Sequence, residues 1–316
     1  MKGTRSRLAA CGVSVLGLLL ACSAEVALAA GAAPLLVAVS EPDIEAIVKD
    51  VGGNQVETFV LFRGCILRRD LQVEPAAVAK LLAAKAIVWT GFLPEAGAIR
   101  GAIADGRNSP ARDSWGPAWI DVSKHATQVD APVSTCQGYV DLITTRGDPF
   151  FRLNPENGVV MARDVADGLA RLRPSARAYF EANARAFQVS LERDIARWKE
   201  ELKSLARLRV FSTQCGWQNL ARFGGPQFVV CKKAPGSAFA IEALVQHVQQ
   251  MKAELILLDP HTPPDLAKAL REIGGVAVVE APSSIGDLPG AMGYSAIFDN
   301  LIQVLQRVAT ENSGKE

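Results

Sequence analysis

Eight apolar residues, Phe180, Ala184, Phe187, Leu191, Ile195, Trp198, Leu202 and Leu205, recur at steps of four and three. That spacing winds them into one unbroken stripe along an α-helix. The opposite face carries Arg185, Glu192, Arg193, Lys199 and Glu200. From residue 174 to 206 such a helix runs about 50 Å at ~1.5 Å per residue, long enough to pass along two lobes and join them. Pro174 suits the first turn of a helix and disfavours helical geometry at Arg173, so a preceding helix over Pro155–Leu172 stops there. A coiled-coil dimer is the competing use of the stripe, but a single stripe between α/β segments more often packs on its own domains, which favours a monomer.

On both sides of this helix, short β-rich runs alternate with helical patterns, which argues for parallel α/β sheets. Strands are predicted at 35–39, 57–62 and 86–89 before it, and at 210–213, 228–231, 255–258 and 276–279 after it. The fold class that follows is α/β: two lobes with parallel sheets joined by one long rigid helix, with a cleft between the lobes. The expected division is an N-terminal lobe at 30–173, the connecting helix at 174–206 and a C-terminal lobe at 207–316. Ligands of open parallel sheets sit beyond the carboxyl ends of the strands. The loops at 63–74, 214–217, 259–264 and 282–290 are therefore where binding chemistry is sought.

With 34 Lys and Arg against 33 Asp and Glu, the net charge is +1 over 316 residues. That balance removes any bulk electrostatic reason to bind nucleic acid or an anionic membrane. Lys2, Arg5 and Arg7 precede an apolar run at 8–21, which is too short to span a bilayer comfortably but suits a signal-peptide core. Residues 1–29 are expected to be a signal peptide and the protein to be periplasmic. Two processing sites compete: Ala27-Leu28-Ala29 fits a small-x-small cleavage rule, and Leu19-Leu20-Ala21-Cys22 fits a lipobox that would leave a lipid anchor on Cys22. Cleavage after Ala29 removes Lys2, Arg5, Arg7 and Glu25 and takes the net charge to −1. Cys65, Cys136, Cys215 and Cys231 then remain, without a Cys-x-x-Cys pair, so a thioredoxin-like function is not expected. They read as one or two structural disulfides with three full pairings open, or, for Cys65 and Cys215 just after predicted strands, as lining a ligand site.

Several segments in a shared order resemble a known family. Asp148-Pro149-Phe150-Phe151-Arg152-Leu153-Asn154-Pro155 is similar to an Asp-Pro-His-x-Trp-Leu-x-Pro segment, followed by Ala178-Tyr179-Phe180-Glu181-Ala182-Asn183. Ser212-Thr213-Gln214-Cys215-Gly216-Trp217 and Ala221-Arg222-Phe223-Gly224 resemble a strand, ligand, Ser-Trp and Phe-Gly pattern. Pro289-Gly290 through Tyr294 to Phe298-Asp299 also fits. These segments resemble the metal-specific solute-binding proteins of bacterial ABC importers for zinc and manganese, over residues 35 to about 308. The resemblance implies two α/β lobes bridged by a long helix, one divalent ion carried in the cleft as transported ligand, and an ABC permease in the inner membrane as partner.

Residue by residue, the four metal ligands implied by the resemblance are substituted. The first histidine falls on Arg69, or on Arg68 under a different placement of one insertion; the second falls on Phe150; the third ligand falls on Gln214; the aspartate falls near Ser283 or Ser284. An arginine has only donors and a permanent positive charge, and a phenylalanine has no lone pair. The expectation is a degenerate metal site. Arg69, Phe150, Arg152, Gln214, Trp217, Ser283 and Ser284 line a cleft suited to a small anionic or polar ligand. Asp259 and His261, with Cys65 and Cys215, form an alternative metal set that favours copper or zinc. A non-transport binding or scaffold protein that kept the fold and lost the metal is the alternative function.

The other histidines have plainer roles: His247 is expected at a packed or half-exposed helix position and His125 in a solvated loop. Trp115 and Trp119 read as a local hydrophobic clasp, and Asp164, Asp167 and Arg171 as a solvated helix face. Glu41 and Asp43 follow the first strand without a partner in sight. With no Gly-x-Ser-x-Gly elbow, Walker loop or dinucleotide fingerprint, no catalytic residues and no enzyme are expected.

Overall fold

The computed structural model describes residues 33–63, 71–104, 116, 118–127, 150–213, 215–230, 241–290 and 292–313. Leu35–Glu316 is one compact unit. The leader and its processing sites, with Cys65, Arg68, Arg69, Cys136, Gln214 and Cys231, lie outside the described residues.

Two four-stranded parallel sheets form the framework. The first contains β1 (Leu35–Val39), β2 (Val56–Val60), β3 (Ala86–Trp89) and β4 (Trp119–Asp121) in the order β2-β1-β3-β4. The second contains β5 (Arg209–Ser212), β6 (Gln227–Val230), β7 (Leu255–Leu258) and β8 (Ala277–Glu280) in the order β6-β5-β7-β8. The two lobes therefore repeat one strand order. Val37 pairs with both Thr58 and Ala86, and Phe211 with both Val229 and Ile256, so β1 and β5 are interior strands. β3 and β7, all apolar, are buried along their whole length. Such runs, apolar at every position, are what a parallel sheet covered on both faces requires. Edge strand β8 is only half-buried, and its Glu280 is exposed.

The predicted strands are all present, shifted by at most one residue at their starts and two at their ends. β4 was not anticipated. It has three residues, too few for a period-two pattern to show, and its Trp119 packs edge-on against Trp89 of β3 with ring centroids 5.2 Å apart.

The helices cover the sheets: α1 (Pro42–Gly52), α2 (Pro75–Ala83), α3 (Leu93–Ile103), α4 (Pro155–Leu172), α5 (Arg177–Lys203), α6 (Ile241–Gln250), α7 (Pro264–Arg271) and α8 (Ala296–Ser313). α4 starts where its cap chemistry dictates: the Asn154 side chain accepts from the Glu156 amide at 3.1 Å, and Pro155 occupies the first turn. It ends at Arg173, ahead of Pro174. One 3-10 turn, Pro174–Ala176, then leads into α5.

α5 is the spine. Its 27 residues span about 40 Å at ~1.5 Å per residue, and Phe180, Ala184, Leu191, Ile195, Trp198 and Leu202 of the stripe are buried against α4 and α8. Polar ties fix both ends: Asn183 Nδ2 donates to the Val51 carbonyl of α1 at 3.0 Å, and Trp198 Nε1 donates to Asp299 Oδ1 of α8 at 2.8 Å. No described helix is long and apolar enough to cross a membrane.

Candidate functional site

In each sheet all strands run parallel, but the order of connection reverses between the two central strands, β1 and β3 or β5 and β7, and the loops leaving them diverge to open a crevice at their carboxyl ends. In the first lobe these ends carry acids. Ser40, Glu41 and Asp43 follow β1 and are buried, with Pro42 opening α1. After β3 the chain turns at Gly91, whose φ of +84° suits glycine, and enters α3. That turn brings the fully buried Glu95 back under Thr90, whose amide donates to Oε2 at 3.1 Å and whose hydroxyl donates to the same oxygen.

Arg152 supplies the counter-charge. It stands in a 3-10 turn, Phe151–Leu153, held by Asn157, which donates Nδ2 to the Phe151 carbonyl at 2.8 Å. Arg152 Nε lies 3.1 Å from Glu41 Oε2 and 2.9 Å from Asp43 Oδ2, with all three side chains buried. Its guanidinium carbon is 5.9 Å from the Phe150 ring centroid. One guanidinium cannot neutralise both neighbouring acids and the nearby Glu95. Burial pushes Glu41 up to about 7 against the pull of Arg152, with the Asp43 charge adding to the rise. Asp43 is raised by burial too, and burial with the Glu41 charge takes Glu95 to about 8.

The same cluster crosses to the second lobe. Asp43 Oδ1 accepts the Ile285 amide at 2.6 Å and the Ser284 hydroxyl at 3.2 Å. The Tyr294 hydroxyl donates to the Arg152 carbonyl. Beyond β5 and β7, Thr213 Oγ1 accepts from the Asp259 amide at 2.9 Å and shares a 2.8 Å bond with Thr262. Asp259 takes the Ser283 hydroxyl on Oδ2 at 2.6 Å and the His261 amide on Oδ1 at 2.9 Å. His261 Nε2 approaches Asp287 Oδ2 at 3.5 Å; burial raises the Asp287 carboxyl, while His261 counters it.

The predicted site residues are therefore distributed as follows. Phe150, Arg152 and Ser284 belong to one connected cluster, whereas Ser283, next to Ser284 in the chain, is bonded to Asp259 in the group beyond β5 and β7. Phe150 also lies against the loop after β5, since a Cβ added at Gly216 would sit 2.6 Å from its own Cβ. Trp217 is 0% exposed and part of the core. Cys215 begins the 3-10 helix Cys215–Phe223, and its side chain is not described; Arg69, Gln214 and Cys65 lie outside the described residues. Among the described residues no group of three or more His, Cys, Asp or Glu is placed to hold a metal ion.

Glu41, Asp43, Glu95 and Tyr294 were missed as site residues. The partner of Glu41 and Asp43 stands more than a hundred positions along the chain; the available signal was an arginine inside the otherwise apolar run at 150–153. His125 makes a 2.6 Å contact with Asp164, whose carboxyl is raised by burial, so that acid is not on a solvated face. His247 is exposed.

This arrangement links the strand ends of the two lobes through Asp43 and Tyr294. A zinc-bound deletion mutant of ZnuA has a crystal structure that superposes with TM-score 0.66 at 21% identity, covering 87% of this chain and 97% of that one. The laminin-binding protein Lbp of Streptococcus pyogenes superposes with TM-score 0.66 at 17% identity, over 88% and 100%. At these identities the likeness concerns the fold. In sequence, the high-affinity zinc uptake system protein ZnuA of Brucella abortus (strain 2308) and that of Brucella suis are each 28% identical over 130 residues, or 39% of this chain. Those aligned stretches span 38% of the curated relatives' length. Residues 37–308 match the family described as ZnuA, zinc-uptake complex component A, periplasmic, and the chain belongs to that family.

Proposed function

We propose that this protein is the periplasmic solute-binding component of an ABC-type metal-ion uptake system, handing its cargo to an inner-membrane permease from a cleft whose inherited ligand set is altered. Membership of the family supports the transport role. The altered cleft rests above all on Arg152, whose buried guanidinium sits against Glu41 and Asp43 beside Phe150. Phe150 has no lone pair to offer a divalent cation, and the donor-only guanidinium beside it occupies the Glu41 and Asp43 oxygens that face it.

Two measurements test this reading. In the source organism, deletion of the gene lowers the cellular zinc or manganese content under chelation and plasmid-borne protein restores it; unchanged metal content leaves the scaffold alternative and overturns transport. Purified protein dialysed against zinc or manganese retains no stoichiometric ion that depends on Gln214, Ser283 or Ser284. A tightly held ion lost on Gln214→Ala would overturn the altered cleft while leaving transport intact.

A further inference from the structure

A second concavity lies behind the cleft. Its walls are the last turn of α1, carrying Asp50; the middle of α5, carrying Phe187, Ser190 and Asp194; and the segment leading into α8, carrying Met292 and Tyr294. Its volume is about 460 Å³, within the range typical of small-molecule sites. Of the cleft groups described above, only Tyr294 is shared. Gly293, with φ +81°, turns the chain so that Tyr294 is buried while Met292 stands 89% exposed at the rim.

The lining has one sign of charge, because no lysine or arginine contributes to it. Asp50 makes no ion pair or hydrogen bond among the described residues, and its neighbour Lys49 is turned to Glu45 at 3.1 Å. Partial burial raises the Asp50 carboxyl, although the residue keeps an exposed edge. Asp194 is held in place: Ser295 donates to its Oδ2 at 2.8 Å, and Arg197 approaches Oδ1 at 3.4 Å. Arg197 also serves Glu201 and Asp299, so it is shared among three carboxylates, and Arg193 reaches the rim only through the Ser190 hydroxyl at 3.1 Å. The rings of Phe187 and Tyr294, 6.3 Å apart and tilted by 48°, line the same cavity as these acids. Carboxylates together with aromatic rings suit an ammonium or guanidinium group on an apolar body. A thioether at the rim adapts to varied shapes.

We propose that this cavity is a binding site for a small organic cation, an amine or guanidine with an apolar portion, separate from the transport cleft. The proposal does not rest on the transport reading, and its variants lie outside the cleft.

The test is calorimetric titration of the mature protein with phenethylammonium, using phenethyl alcohol and phenylpropionate as neutral and anionic analogues of similar shape. Saturable binding of the ammonium, at least tenfold tighter than either analogue, is expected. Asp50→Asn, at an exposed position, weakens it about tenfold, and Ser190→Trp, also exposed, blocks the cavity and abolishes it. Should Ser190→Trp fail to fold, Asp50→Asn decides. Equal binding of the neutral analogue, no saturable binding of the ammonium, or binding indifferent to Asp50→Asn would each overturn the proposal.

Discussion

Asp43 receives the amide of Ile285 on Oδ1 at 2.6 Å, across the two lobes, while Oδ2 of the same carboxylate faces Arg152 at 2.9 Å. One side chain thus closes the ion cluster and ties the lobes together. Removing it leaves the Arg152 charge with Glu41 alone and strips the Ile285 N–H of its acceptor. Asp43→Ala is expected to cost about 3–5 kcal/mol in denaturant unfolding, the range for breaking a buried pair from one side. Amide exchange at Ile285 accelerates in the same variant, and Asp43→Asn, which keeps an acceptor oxygen, gives a smaller effect. Unchanged exchange at Ile285 would show that the lobes are held elsewhere.

Arg152 makes the reciprocal case. Arg152→Met leaves Glu41 and Asp43 facing each other in a buried site, and a loss of about 3–5 kcal/mol is expected. Adding Glu41→Gln and Asp43→Asn removes the stranded charges, so the triple variant recovers most of that loss despite having fewer polar contacts. Additive losses in chemical denaturation, with the triple variant weakest, would contradict a cluster that acts as one unit.

The cluster also sets a pH dependence. Glu41 and Glu95 titrate near 7 and 8 in the fold, raised from 4.5 by burial and by neighbouring carboxylates. A carboxyl raised on folding contributes stability that is complete below its unfolded value and is lost as pH rises through the folded one. Unfolding free energy is therefore expected to decline between about pH 4.5 and 8, by at most ~1.4 kcal/mol per pH unit for each group. Glu95→Gln reduces the decline over the whole interval and removes its contribution between about pH 7 and 8, whereas Glu41→Gln reduces it only below about pH 7. Stability that rises over this interval in the wild type would mean that other groups dominate.

Local pattern made the framework legible, and chain separation hid the site. The 3.6-residue stripe of α5 and the fully apolar β3 and β7 are written in consecutive residues, so α5 and the strands could be read directly. β4 escaped because three residues carry no period, and Trp119 read as part of a local hydrophobic clasp with Trp115, which lies outside the described residues. Phe150, Arg152 and Ser284 came from the resemblance, but no local pattern links Arg152 to Glu41 or Asp43, nor Asp43 to Ile285 some 242 positions away. A parallel sheet brings the ends of distant strands together, and its pairings are tertiary facts. The same holds for His125, which meets Asp164 across 39 positions.

Glycines on two helices should respond oppositely to the same change. Within a helix, glycine is about 1 kcal/mol less favourable than alanine, so Gly→Ala stabilises wherever space allows. At Gly97 of α3 a Cβ meets nothing within 4 Å, and Gly97→Ala is expected to gain about 0.5–1 kcal/mol. At Gly158 of α4 the Cβ would lie 2.5 Å from Tyr294 Cε1 and 2.7 Å from Leu191 Cδ2. Tyr294 has little room to retreat, since its hydroxyl is bonded to the Arg152 carbonyl and its ring packs against Phe298 at 5.3 Å. Overpacking of about 1–3 kcal/mol then exceeds the helical gain, and Gly158→Ala should melt below the wild type while Gly97→Ala melts above it. Shortening the ring's reach relieves the clash, so Gly158→Ala with Tyr294→Leu should lose less than the two single changes summed. If Gly158→Ala proves as stabilising as Gly97→Ala, then Tyr294 is not fixed in this seat, and the link it makes between α4 and the Arg152 turn is slack.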